Sequence, residues 1–154
     1  MKKILSTLAV VMLCSASLFA QNPDKGYSFA VETGIGTEWM VGGRAQYNFN
    51  KYVAWDILNA AYALDYNKYG NFNEVTLTTG VRGFSPKFSG DLKAYGSLAI
   101  GYGAMFRHGN TNCFALDFSA GMYVWQGLYA GYRLGMLANN GSHVDHMFSI
   151  GYNF

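Results

Sequence analysis

The sequence predicts an all-β protein: an eight-stranded antiparallel up-and-down transmembrane β-barrel, preceded by a cleaved signal peptide. Three observations carry the prediction. The last eight residues alternate Phe148, Ile150, Tyr152 and Phe154 with the smaller or more polar Met147, Ser149, Gly151 and Asn153, the period of two of a strand whose faces meet different surroundings. The first twenty residues have the layout of an export signal. In the candidate strands between, charged residues keep to one phase of the alternation.

At the start of the chain, Met1-Lys2-Lys3 supplies a positive n-region, Ile4 to Leu13 an apolar h-region, and Ser15 to Ala20 small residues for cleavage after Ala20. A transmembrane helix fits less well, because the apolar stretch is short and runs into the polar Gln21-Asn22-Pro23-Asp24-Lys25. Leu13 stands where lipoprotein processing at Cys14 would call for a small residue. The chain thus divides into a signal peptide, 1–20, and one barrel domain, 21–154. Removing 20 of the 154 residues leaves 134 and takes away Lys2 and Lys3, so 11 Lys plus Arg fall to nine, against nine Asp plus Glu. A mature chain with no formal excess charge makes no case for a nucleic-acid partner. Cys113 is then the one cysteine left, which excludes an intramolecular disulfide and reads as a small packing residue near a strand end.

Half the residues are hydrophobic, yet the longest uncharged run of the mature chain, Phe118 to Tyr132, is fifteen residues, short of the ~20 that a membrane-spanning helix needs. Tyr, Phe, Val and Gly instead come in short alternating blocks separated by Asn, Asp and Gly turns, the pattern of antiparallel strands.

The first strand runs from about Gly26 to Gly36, with Tyr27, Phe29, Val31, Thr33 and Ile35 on one face. Thr37-Glu38-Trp39 reads as a turn. The second, about Met40 to Phe49, sends Val41, Ala45 and Tyr47 outward against Gly42, Arg44 and Gln46. Asn50-Lys51 is taken as a two-residue hairpin, and Tyr52 to Leu64 as the third strand, with Val53, Trp55 and Ile57 outward. Strict alternation there would expose Asn59 to lipid, so a bulge is expected near Leu58. After a polar loop, Asp65 to Asn71, the fourth strand (about Phe72 to Phe84) sets Val75, Leu77, Thr79 and Val81 against Glu74, Thr76, Thr78 and Arg82. Ser85 to Asp91 turns the chain into the fifth, Leu92 to about Met105, with Lys93, Tyr95 and Ser97 inward. Arg107 to Asn112 is a loop, and the sixth strand, Cys113 to about Val124, sets Phe114, Leu116 and Phe118 against Ala115, Asp117 and Ser119. The seventh, from Leu128, sends Tyr132 and Leu134 out and Tyr129 and Arg133 in. Asn139 to Val144 is the last loop, and Asp145 to Phe154 the eighth strand.

A terminal strand of this kind in an open sheet would be a sticky edge, which soluble proteins blunt with charge or proline. Closure removes that edge, and an apolar outer face is then suited to lipid. Within the strands Glu32, Arg44, Asp56, Glu74, Arg82, Lys93, Asp117 and Arg133 all share the polar phase. Lys or Arg facing lipid at mid-bilayer costs about 2–4 kcal/mol, so this segregation is what insertion demands. Four acids and four bases also allow the interior to pair its charges. A soluble lipocalin-like barrel would invert the faces, and periodicity alone does not separate the two. The aromatic terminus and the aromatics beside turns (Phe49, Tyr52, Phe84, Trp125, Tyr152) favour membrane girdles.

A last strand ending in Phe154, with aromatics at alternate positions behind it, resembles the assembly signal of Gram-negative outer-membrane barrels. By strand count, alternation, interior charge and that final strand, the whole mature chain resembles the small eight-stranded outer-membrane barrels of the OmpX and OmpA-transmembrane-domain type. The resemblance implies a monomer in the cell outer membrane with both termini in the periplasm. It implies contact with outer-membrane lipid and lipopolysaccharide, and delivery by the barrel-assembly machinery through Phe148, Ile150, Tyr152 and Phe154. The loops around 37–39, 65–71, 107–112 and 139–144 would face outside. They are shorter than the protruding loops of adhesive members, and no segment for peptidoglycan attachment is expected after the barrel.

An eight-stranded barrel is just wide enough for its own side chains, so Tyr95, Tyr129, the arginines and their acids are expected to fill it. The leading expectation is a structural or envelope-integrity protein, with a surface-binding role at a rim carrying Trp39, Tyr66, Tyr69 and Phe72, and no general diffusion pore. A small pore is one alternative. Another is a lipid A-modifying enzyme using Ser142, His143 and Asp145, since His143 and Asp145 would share a strand face and a carboxylate can orient an imidazole. His143 and His146 are also weighed as metal ligands, a thin set from a single loop, as is His108 on another loop for catalysis. No cofactor and no metal are expected.

Overall fold

A computed structural model describes residues 25–65, 73–106, 110–139 and 142–154. The signal peptide, Tyr66, Tyr69, Phe72 and His108 lie outside the described residues. Eight strands follow in order: β1 (Gly26–Gly36), β2 (Glu38–Asn48), β3 (Val53–Asp65), β4 (Asn73–Phe84), β5 (Lys93–Phe106), β6 (Asn110–Trp125), β7 (Leu128–Ala138) and β8 (Ser142–Asn153). Each pairs antiparallel with its sequence neighbour, and β8 returns to β1, so the sheet is a closed barrel. The closing seam runs from Ala30 opposite Asn153 to Gly36 opposite Met147, and the Phe154 N–H donates to the Phe29 carbonyl at 2.7 Å. The last strand therefore has no free edge.

Closure decides the sidedness that alternation leaves open. Phe29, Ile35, Leu77, Ile100, Phe118 and Phe148 are exposed on the outside, while the charged phase converges within. Among the described strand side chains no Asp, Glu, Lys or Arg lies on the outer face. Several polar groups that do lie there find hydrogen-bond partners, as an apolar surround requires. Trp55 Nε1 donates to Thr79 Oγ1 at 3.0 Å, Thr79 Oγ1 to the Asp56 carbonyl at 2.9 Å, and the Tyr132 hydroxyl lies 2.5 Å from His146 Nδ1.

The expected bulge falls at Ile57–Leu58, where the register of β3 shifts against both neighbours. It turns Asn59 inward to Thr78 Oγ1 at 3.4 Å and leaves Leu58 exposed. Three strands run further than their sequence patterns suggested: Glu38 and Trp39 belong to β2, Asn110–Asn112 to β6 and Ser142–Val144 to β8. β1 and β2 are consequently joined through Thr37 alone. The 49–52 turn holds four residues rather than two, and Asn50 Oδ1 accepts from the N–H groups of Tyr52 (2.8 Å) and Val53 (3.0 Å). The two-residue turn is instead Gln126-Gly127, both at positive φ (28° and 94°), the left-handed region a tight hairpin needs. Phe84, read as a girdle aromatic, is in phase with Arg82 and packs inward against Tyr123.

Candidate functional site

The interior is layered. Nearest the chain termini, Tyr95, Tyr123 and Tyr129 form a mutually contacting group, with ring centroids 5.2–5.6 Å apart. The Lys93 ammonium stands 4.5 Å from the Phe84 ring centre and 4.7 Å from that of Tyr123, a cation–π arrangement. Glycine makes room for these rings. Gly121 and Gly131 face each other across β6 and β7, and a Cβ on either would meet Tyr95. Gly151 likewise leaves space for Tyr129.

At mid-height an ionic chain crosses the lumen. Arg82 Nε lies 3.2 Å from Asp56 Oδ2, and Asp56 Oδ1 lies 3.6 Å from Arg44 Nε. Arg44 Nη1 is 3.8 Å from Glu32 Oε2, Glu32 Oε1 is 3.1 Å from Arg133 Nη1, and Arg133 pairs with Asp117. Sign alternates at each step, and three arginines balance three acids, which is how such charges tolerate burial. The Tyr129 hydroxyl donates to Glu32 at 2.8 Å, and Arg82 stacks 4.7 Å over Tyr95, tying this layer to the aromatic one. The sequence assigned eight residues to one network. Six form it; Lys93 sits with the aromatics, and Glu74 lies elsewhere.

Glu74 belongs to a cluster at the opposite mouth, where β1–β2, β3–β4, β5–β6 and β7–β8 connect. Glu38 opens β2, Glu74 opens β4, and His143 and Asp145 open β8, so the first inward positions of three strands meet. His143 Nε2 lies 2.8 Å from Asp145 Oδ1 and 3.2 Å from Glu38 Oε1. One donor atom from each of the four residues falls within 4.8 Å of the others. The carboxylates are deep, with Glu38 and Asp145 1% and Glu74 6% exposed. The His143 side chain, 34% exposed, reaches toward solvent. Below them Met40, Met147, Ala61 and Ala63 pack together, as do Leu137, Cys113 and Ala115. A cavity of about 10 Å³ between this cluster and the ionic chain is bordered by Glu74, Asp145, Met147 and Arg133. That is room for about one water.

The residues considered for chemistry are thus divided. His143 and Asp145 share the inner face, whereas Ser142 is exposed on the outer one, so the three make no Ser-His-Asp array. His146 also faces out, toward Tyr132, and cannot join His143 around one ion. Besides Asp145, the acids gathered around His143, Glu38 and Glu74, come from other strands. Glu38 was legible in principle, since it shares the phase of Met40, Gly42 and Arg44. Reading Thr37–Trp39 as a turn hid it. Phe148 and Ile150 are exposed on the outer face of β8, and Tyr152 and Phe154 meet edge to face beside them with centroids 4.7 Å apart.

Closed eight-strand topology, a charged lumen and an apolar exterior can be compared with solved structures. The N-terminal β-barrel domain of Pseudomonas aeruginosa OprF superposes with a TM-score of 0.58 at 14% identity, covering 87% of this chain and 100% of that one. Yersinia pestis Ail in a phospholipid bilayer nanodisc gives 0.54 at 12% identity, over 84% and 99%. The fold is that of the small eight-stranded outer-membrane barrels. Neisserial surface protein A agrees, with a TM-score of 0.52 at 14% identity over 82% of this chain and 92% of that one. No family model and no curated protein sequence matches the chain. At these identities the shared property is the barrel, and function must be argued from the residues themselves.

Proposed function

We propose that the protein is a small outer-membrane barrel whose role is structural or surface-binding, supporting the envelope rather than passing solutes. The observation that carries this reading is the packed lumen: among the described residues the tyrosine layer and the six-member ionic chain crowd its cross-section, and the cavity above them has room for about one water. Both termini then lie in the periplasm, and the mouth bearing His143 faces outside. Outward Trp39, beside that mouth, is placed to meet lipopolysaccharide, and β8 offers Phe148, Ile150, Tyr152 and Phe154 to the assembly machinery. The outward Ser142, on the opposite face of β8 from His143, weighs against lipid A chemistry.

The test is reconstitution of residues 21–154. Refolded from urea into detergent and moved into planar bilayers, the protein should become protease-resistant and give no stepwise conductance. Discrete porin-sized steps, or a folded protein that stays soluble once detergent is removed, would refute the reading.

A further inference from the structure

We propose that Glu38, Glu74, His143 and Asp145 form a binding site for a divalent transition-metal cation at the mouth of the barrel. The inference goes beyond the envelope role and does not depend on it.

Charge balance comes first. Three carboxylates and one imidazole converge within 4.8 Å, all but His143 almost wholly buried. With all three carboxylates ionised, as a bound metal requires, a protonated imidazole would offset one negative charge of three. The nearby guanidinium, Arg133, is already engaged by Glu32 and Asp117. In the ionic chain acids and bases match one for one, whereas among the described residues the mouth sets three carboxylates beside one imidazole.

Glu74 supplies the second, independent observation. It is 6% exposed, its Oε2 is buried without a hydrogen-bond partner, and no hydrogen bond or ion pair engages it among the described residues. A buried carboxylate oxygen without a partner is costly. The same carboxylate offers an oxygen to the four-residue cluster, where a cation would satisfy it.

Donor chemistry then narrows the ion. His143 directs one nitrogen, Nε2, at two carboxylate oxygens, an arrangement in which a metal can replace the shared proton. Imidazole favours Zn²⁺ and its first-row neighbours over Ca²⁺ or Mg²⁺, and carboxylates complete a set suited to Zn²⁺ or Mn²⁺. Ligands at ordinary Zn–N and Zn–O distances sit about 3.4 Å apart on a tetrahedron, so separations of up to 4.8 Å must contract by up to about 1.4 Å. Flexible Glu side chains can supply that movement. The half-exposed imidazole provides the route in from solvent, and the bound ion would clamp β2, β4 and β8 together.

Tag-free residues 21–154, folded in detergent and stripped with chelator, would be titrated with Zn²⁺, with Mn²⁺ and Ca²⁺ in parallel, by calorimetry in two buffers of different ionisation enthalpy. The expected result is one Zn²⁺ per chain with micromolar or tighter affinity, weaker Mn²⁺, negligible Ca²⁺ and proton release on binding. Glu74→Gln and His143→Gln should each weaken Zn²⁺ at least tenfold, while His146→Gln on the outer face should leave it unchanged. Folding of each variant is checked by its mobility in unheated gels, and Co²⁺ absorption gives a second readout of an ordered site. Absence of binding at millimolar Zn²⁺, or equal binding by wild type and a folded Glu74→Gln/His143→Gln double variant, would overturn the proposal.

Discussion

Removing Arg133 should do more damage than removing the ion pair to which it belongs. Arg133 is buried, pairs with Asp117 on one side and lies 3.1 Å from Glu32 on the other. In Arg133→Leu, Glu32 keeps Arg44 at 3.8 Å and the Tyr129 hydroxyl at 2.8 Å. Asp117 keeps no basic partner, and the six-member chain passes from balanced to one negative charge in excess. Stranding a buried charge in this way costs about 3–5 kcal/mol, whereas replacing a whole buried pair by apolar groups is often neutral. Adding Asp117→Leu restores balance as two arginines with two acids, so the double variant should recover at least about 2 kcal/mol of the loss. Equilibrium urea unfolding in detergent micelles measures both, followed by tryptophan emission, since Trp39, Trp55 and Trp125 all face outward and report departure from the apolar phase. A single variant costing under about 1 kcal/mol, or a double variant no more stable than the single, would show that the ionic chain does not hold the lumen as described.

Two further outcomes test the faces of the sheet. Ile100 lies mid-strand on the outer surface, so Ile100→Arg should destabilise the membrane-inserted barrel by about 2–4 kcal/mol, while Trp125→Arg, at a strand end, should cost about 1 kcal/mol or less. Equal costs in lipid-vesicle unfolding would contradict a lipid-facing belt. Gly131→Val should lose about 1–3 kcal/mol by driving a side chain into the Tyr95 hydroxyl and the Ala120 carbonyl. Tyr95→Ala in the same background should relieve part of that cost, and a Gly131→Val variant as stable as wild type would mean Tyr95 does not lie across this glycine pair.

Much of this architecture is local in origin and could be read without coordinates. Successive side chains on a strand point to opposite faces, so the order of residues alone placed Arg44 with Gln46, Tyr129 with Arg133 and Phe148 with Ile150. The same rule called for a bulge before Asn59, because an amide facing lipid violates it. The ends of strands were less legible. Polar residues beside a turn look like loop whether they meet water or a wet barrel mouth, so Glu38 and Ser142–Val144 carry no strand pattern of their own although they belong to β2 and β8.

Residue order is enough to show that the chain builds alternating strands, which residues share a face, and that the strand charges share one face. Which face lies inside required the closed barrel, because period two is identical for a barrel in water and one in lipid. It also decided who meets whom across the lumen. Glu32 reaches Arg133 and Glu38 reaches His143 across more than a hundred residues of chain, contacts set by the stagger of the closed sheet and by no local pattern.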